Sequence, residues 1–342
     1  MKVQRKAVAV LIALASACLV ATGASCAEEI TLYSTREAGL VEPAVAAFTE
    51  ASGVKVNIVF VEDSLVKRLV SEGETSPADV LLTIGLDKTT QLGSRDLTQA
   101  FASSRIEPAV PANLRSGSAQ WFALAIRPRV VFARKDSALA AIDYEELADP
   151  KWRGKLCMRS PRHQNNVALV AAYLAHHGEG ATETWLAGLK ANLAHKPLGK
   201  DNDVVREIAQ GTCEIGIGNT VALAQLRDGR EGADWRAWAM AVRAVPTVFK
   251  GGGTHVNLTG AVIAKHAPHP AAAQKFLEFL VTSAAQRIFA DAELEYPVLA
   301  AAERAPILAD IGSFTPDAMP IDQIAAHQQA ATALIKKAGF DE

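Results

Sequence analysis

Cysteine and tyrosine are both scarce in this chain, four of each among 342 residues. Two of the cysteines, Cys18 and Cys26, fall within the first 27 residues, which leaves Cys157 and Cys213. That is too few for a disulfide-dense scaffold, and without a nearby His pair at ligand spacing it makes a poor zinc site. An excess of charge of either sign is also missing. Lys and Arg number 35 against 37 Asp and Glu, net −2, so bulk charge draws no nucleic-acid partner to the chain. With 49% apolar residues and a near-zero net charge, disorder is excluded as well. Beyond residue 27 no apolar run is long enough to span a bilayer, which excludes a polytopic membrane protein. No Gly-x-Ser-x-Gly elbow, P-loop, dinucleotide fingerprint or His-Glu-x-x-His occurs, so no enzyme class is indicated.

The N-terminus has the layout of a secretory signal peptide. Lys2, Arg5 and Lys6 precede the apolar stretch Ala7–Val20, and Ser25-Cys26-Ala27 offers small residues for a cut after Ala27. An uncleaved anchor is the competing reading, and a lipoprotein cut before Cys26 is a minor one. Removal of residues 1–27 takes away three positive charges and no negative one, leaving a mildly acidic exported chain. In an oxidising compartment the lone pair Cys157 and Cys213 is most simply a disulfide, with two free buried thiols as the alternative.

Hydrophobic periodicity then sets out the elements. Glu29–Ser34 reads as a strand, Gly39–Ala51 as a helix, and Val54–Phe60 as a second strand. A short helix over Ser64–Glu72 and an apolar strand over Ala78–Ile84 follow. Strand and helix alternating within so few residues predicts a parallel α/β sheet. Past Trp121 come a long strand over Trp121–Ala133, helices over Asn166–His177, Glu183–Leu193 and Asn202–Gln210, and a strand over Glu214–Ile217. Thr254–Ala264 reads as a strand, Ala271–Thr282 as an amphipathic helix, and Ile321–Ala338 as one closing helix.

Several motifs carry a family resemblance. Leu32-Tyr33-Ser34-Thr35-Arg36, Ser76-Pro77-Ala78-Asp79-Val80, Asp149-Pro150-Lys151-Trp152-Arg153-Gly154, Gly218-Asn219-Thr220, Gly253-Thr254-His255-Val256-Asn257 and Glu295-Tyr296-Pro297-Val298 run in order along the chain. Together they resemble the periplasmic ferric-iron-binding proteins of ABC importers. The resemblance implies a type II periplasmic binding protein: two α/β lobes, each a mixed sheet flanked by helices, hinged by two crossing strands. On that basis lobe 1 is expected over 28–126 with 255–300, lobe 2 over 127–254, and a C-terminal helical segment over 301–342. The crossings are expected at Trp121–Ala133 and Thr254–Ala264. The implied function is the extracytoplasmic component that hands ferric iron or an iron chelate to an inner-membrane permease. The alternative is an organic or phosphorylated anion on the same scaffold, with a hydrolase as a third reading. No resident cofactor is expected, Fe(III) entering only as cargo, and the protein is expected to be a periplasmic monomer.

One departure bears on the ligand. Ferric ion, hard and highly charged, is held in that family by tyrosinates, because the metal lowers the phenol pKa. The three positions where the family carries those tyrosines read Glu37-Ala38, Asn165-Asn166 and Val221-Ala222. The tyrosines that are present, Tyr33, Tyr144, Tyr173 and Tyr296, read as core or scaffold. The candidate ligand-binding set is therefore Arg36, Glu37, Arg127, Asn165, Asn219 and Thr220, with Glu37 and His255 as candidate metal ligands. Arginine forks beside helix N-termini suit a carboxylate or phosphate. Against this, Arg36 and Arg127 would serve equally as partners of lobe carboxylates, and Asn219 and Thr220 as a helix start.

Overall fold

The computed structural model describes residues 28–62 and 64–340. The signal peptide expected over 1–27 lies outside the described residues. The first stretch runs β1 (Glu29–Ser34), α1 (Ala38–Ser52), β2 (Lys55–Phe60), α2 (Leu65–Glu72), β3 (Val80–Ile84), α3 (Leu86–Ser94), β4 (Thr98–Gln99), α4 (Ile106–Ala109) and β5 (Phe122–Arg134). There follow β6 (Ile142–Asp143), β7 (Leu156–Met158), α5 (Gln164–His177), α6 (Glu179–Asn192), α7 (Asp201–Ala209), β8 (Ile215–Asn219), α8 (Thr220–Asp228), α9 (Ala233–Ala241), β9 (Val242–Val245) and β10 (Thr247–Val248). The chain closes with β11 (Val256–Ala264), α10 (Pro270–Leu280), α11 (Ser283–Glu293), β12 (Tyr296–Pro297), α12 (Pro306–Ile311), α13 (Ile321–Ala326) and α14 (Gln328–Ala338).

The expected α/β alternation is present, and its cause is visible in the burial. β3 buries Val80, Leu81, Leu82 and Thr83 in succession, as a strand paired on both sides in the middle of the sheet does. α1 buries Val41, Ala44, Val45 and Phe48 along one stripe and stops at Gly53, whose positive φ of 74° lets its N–H reach Thr49 O at 2.9 Å. The sheet is mixed and runs β2-β1-β3-β11-β5-β8-β7. β1 lies parallel to β2 and β3, β11 is antiparallel to β3 and β5, and β7 is parallel to β8.

β5 is the element that crosses. Phe122 to Pro128 pair with β11, and Arg129 to Arg134 pair with β8 and β9. At the head of β11 the chain is tied to the other side, since Thr254 Oγ1 donates to Thr247 O and the His255 N–H to Tyr144 Oη. The Cys157–Cys213 disulfide links β7 to the approach of β8, with Cα atoms 5.9 Å apart. Among the described residues no helix is long and apolar enough to cross a membrane.

The helix expected over Ala271–Thr282 is present as α10, and a second helix, α11, follows it from Ser283. Thr282 Oγ1 accepts from the Ala285 N–H and caps the new start. The tail expected as one helix over Ile321–Ala338 breaks at His327, where the residue leaves the helical path with φ −94° and ψ −1°. The break lets α13 pack on both α3 and α5, while α14 packs on α5 and α6.

Candidate ligand-binding cleft

Arg127 and Arg129 stand two residues apart on β5 and so share one face of the strand. Arg129 is fully buried. Its Nε donates to Asn166 Oδ1 at 2.8 Å, and its Nη1 donates to Asp201 Oδ2 at 3.1 Å and to Asn219 Oδ1 at 3.0 Å. The start of α5, the start of α7 and the end of β8 thus converge on one guanidinium. Asp201 Oδ2 also accepts the Asn219 N–H at 2.9 Å, whereas its Oδ1 has no hydrogen-bond partner among the described residues and lies 3.8 Å from Arg159 Nη1. Burial pushes the Asp201 carboxyl up, but Arg129, Arg159 and the Asn219 N–H pull it further down, so it sits below the usual carboxylate range. Burial, with Arg129 nearby, lowers Arg159.

Arg127 is held from the other side by β11 and the start of α3. Arg127 Nη2 and the Gly85 N–H both donate to Leu258 O, at 2.9 Å each. Gly85, with φ 108°, caps α3, and a Cβ there would come within 3.4 Å of Gln164 Nε2 at the start of α5. The starts of α3 and α5 therefore meet at this glycine. His163 caps α5 by accepting the Asn165 N–H on Nδ1 at 3.2 Å. Burial pushes its imidazole down to about 4, aided by Arg159, which matches a neutral ring that accepts at Nδ1.

The structure divides the candidates from the sequence. Asn219 lies beside Asn257, the β11 partner of Arg127, while Asn165 and Thr220 stand at the starts of α5 and α8. Asn219 is occupied by Arg129 and by Asn257 Nδ2 at 3.3 Å. Arg127 Nε, Asn165 Oδ1 and Thr220 Oγ1 are buried with no hydrogen-bond partner among the described residues. Arg36 is paired next to Arg127: its Nη atoms donate to Glu293, Glu295 and Thr259, which matches the alternative that it pairs with lobe carboxylates, while its buried Nε has no partner among the described residues. Glu295 also sits 3.4 Å from Arg127 Nε, linking the two arginines. Glu37 is exposed at the start of α1. His255 is buried beside Tyr144 with both ring nitrogens unpartnered, and burial together with Arg129 pushes it down to about 3. Sequence reasoning missed Arg129, Asp201, Asn166 and Arg159 as site residues. The period-2 spacing of Arg127 and Arg129 was the one available signal.

The four tyrosines are scaffold, as expected. Tyr33 Oη donates to Glu72 at 2.8 Å, Tyr144 Oη to Arg129 O at 2.6 Å and Tyr296 Oη to Gly312 O at 2.9 Å. Tyr173 stacks on Trp185 with ring centroids 4.1 Å apart. Burial raises all four phenols, Tyr173 to about 12, which opposes ionisation to tyrosinate.

Residues 30–292 match the family model for bacterial extracellular solute-binding proteins. The chain belongs to that family. It is 35% identical over 316 residues to iron uptake protein A1 of Synechocystis sp., covering 92% of this chain and 88% of the relative. Among solved structures it is similar to the Bordetella ferric binding protein, at 45% identity and a TM-score of 0.89 over 92% of this chain and all of the other. A Trichodesmium protein in complex with iron and citrate ligands matches at 34% identity and a TM-score of 0.88, over 91% of this chain and 99% of its own. The likeness covers both halves of the sheet, so the two-lobed type II architecture expected from the motifs holds for this member.

Proposed function

We propose that this solute-binding protein serves an ABC importer as its ferric-iron component and takes the iron as an anionic chelate. One observation carries the reading. The linked set holds Arg36, Arg127, Arg129 and Arg159 against the carboxylates of Glu293, Glu295 and Asp201, one positive charge in excess, and all four tyrosines are committed to scaffold contacts. A surplus of cationic charge beside helix starts favours an anion, and chelation gives ferric iron that sign. The relatives named for iron, and the neighbour that contains iron with citrate, support iron as the cargo. The same arginines would also accept an organic or phosphorylated anion without metal, which makes that the second reading.

On this reading the lobes comprise 28–126 with 255–300 and 127–254, with 301–342 packing across them. The chain binds and releases its cargo without catalysis, acts as a periplasmic monomer after loss of residues 1–27, and docks on an inner-membrane permease. Thermal shift with ferric citrate, citrate alone and sugar phosphates tests it, read alongside the visible spectrum. We expect ferric citrate to stabilise the protein most, with no phenolate-to-iron charge-transfer band. A strong band would overturn the site, and stabilisation by a metal-free anion alone would favour the second reading.

A further inference from the structure

Away from the cleft, the far end of α7 meets the edge strand β7 in a group of metal-ligating side chains. Cys157 Sγ lies 3.6 Å from His195 Nε2, and the same nitrogen lies 3.3 Å from Glu207 Oε2. The ligand atoms of Cys157, His195 and Glu207 all fall within 4.8 Å of one another; Cys213 is bonded to Cys157 but stands outside that group of three. A tetrahedral zinc ion, with Zn–S about 2.3 Å and Zn–N and Zn–O about 2.1 Å, sets sulfur and nitrogen about 3.6 Å apart and nitrogen and oxygen about 3.4 Å apart. The two observed spacings reproduce those edges.

The ring is also held as a ligand would be. His195 Nδ1 lies 2.8 Å from Lys196 O, so Nδ1 carries a proton and donates it, while Nε2 faces Cys157 and Glu207. Donation from the second ring nitrogen to a backbone carbonyl is the usual support of a metal-bound histidine. Both cysteines are buried, whereas the His195 side chain is 30% exposed and opens a path from solvent.

We propose that the reduced chain binds one zinc ion through Cys157, Cys213, His195 and Glu207, so that disulfide and metal are alternative states of this corner. Reduction by a dithiol passes two electrons and two protons to the S–S bond. That bond breaks to two thiols as the dithiol closes to its own cyclic disulfide. Zn²⁺ then takes both sulfurs as thiolates, and the two thiol protons, with any proton on His195 Nε2, leave to buffer. Side-chain rotation at Cys157 and Cys213 parts the sulfurs to the roughly 3.8 Å that two zinc-bound thiolates require. The site was invisible in sequence because its ligands are spread from residue 157 to residue 213 without a motif spacing.

The full chain, reduced with a phosphine and desalted under anaerobic conditions, is titrated with Co²⁺ and then Zn²⁺. We expect one equivalent of cobalt, with the intense d–d bands of a tetrahedral site and a thiolate-to-cobalt band, both removed by zinc. The oxidised chain should show neither band. His195→Ala and Glu207→Ala, which keep both sulfurs, should each weaken zinc binding at least tenfold. Zinc should also slow re-formation of the disulfide in the wild type. Absence of the cobalt bands in a reduced chain of native circular dichroism would overturn the proposal. So would wild-type affinity in both variants, since the thiols alone would then hold the metal. If reduction costs the native signal, zinc should restore it in the wild type and not in His195→Ala; failure to restore it overturns the site equally.

Discussion

Asp201→Asn separates two ways of holding iron, because they predict opposite signs. Asp201 is the carboxylate set between Arg129 and Arg159, with one oxygen free of hydrogen bonds. If the cargo is an anionic chelate, this carboxylate repels it and its neutralisation tightens binding. If the cargo is a bare ferric ion, the free oxygen is the hard donor it needs, and neutralisation abolishes binding. A unit charge about 6 Å away at an effective dielectric of about 20 is worth roughly 3 kcal/mol. After partial screening we expect Asp201→Asn to bind ferric citrate about 10- to 100-fold more tightly.

The same change weakens the unliganded fold. Removing the charge leaves the buried Arg129 without its counter-ion and weakens the pairing of the half-buried Arg159, a loss of about 3–5 kcal/mol for a broken buried pair. The low end applies here, because the amide oxygen can still accept from Arg129 and from the Asn219 N–H. The pH dependence has a definite sign. A folded carboxyl held below its usual range contributes stability above about pH 4, and that contribution fades as pH falls through the folded value. Acid unfolding of Asp201→Asn should therefore lack this component. Calorimetric titration with ferric citrate gives the affinity, and urea unfolding at pH 7 and pH 3 gives the stability. Weaker binding by a folded Asp201→Asn variant would refute the anionic reading and place Asp201 among the metal's ligands.

Three further outcomes follow from the same geometry. Arg127→Ala should lose about 1.5–3 kcal/mol of ligand affinity, and Arg127→Lys should recover only part of it because the fork is lost; unchanged affinity in a titration would remove Arg127 from the site. His255 stays neutral in the fold down to about pH 3, whereas the unfolded chain takes up that proton below about pH 6.5. Stability from this group thus falls on acidification between those values, and His255→Gln should flatten that slope in urea midpoints measured at pH 7 and pH 5. Reducing Cys157–Cys213 in the presence of a chelator should cost about 4 kcal/mol in the chain-entropy account, given a sequence separation of 56; no change in urea midpoint would show that the crosslink does not restrict the unfolded chain.

What was legible in the sequence follows from how local the signal is. β1, α1, β2 and β3 were readable because burial imposes periods of two or 3.6 within a few residues. The break at His327 was not, because no Gly or Pro stands there; tertiary packing turns the chain so that one tail helix can reach α3. The cleft shows the same limit in charge. Arg127 was found because it lies on a recognisable strand, but Arg129 receives its counter-charge from Asp201, 72 residues away, and its remaining bonds from Asn166 and Asn219. In sequence each of these is an ordinary polar residue, and the balance among them has no local signature. Arg36, which the sequence offered on equal terms with Arg127, is neutralised by Glu293 and Glu295, more than 250 residues along. The sign of the cleft depends on which arginines remain unspent after such pairing. That quantity exists only once the fold has distributed the carboxylates: Arg36, Arg127 and Arg159 each keep a buried Nε without a partner among the described residues, but Arg36 alone has two carboxylates on its Nη atoms.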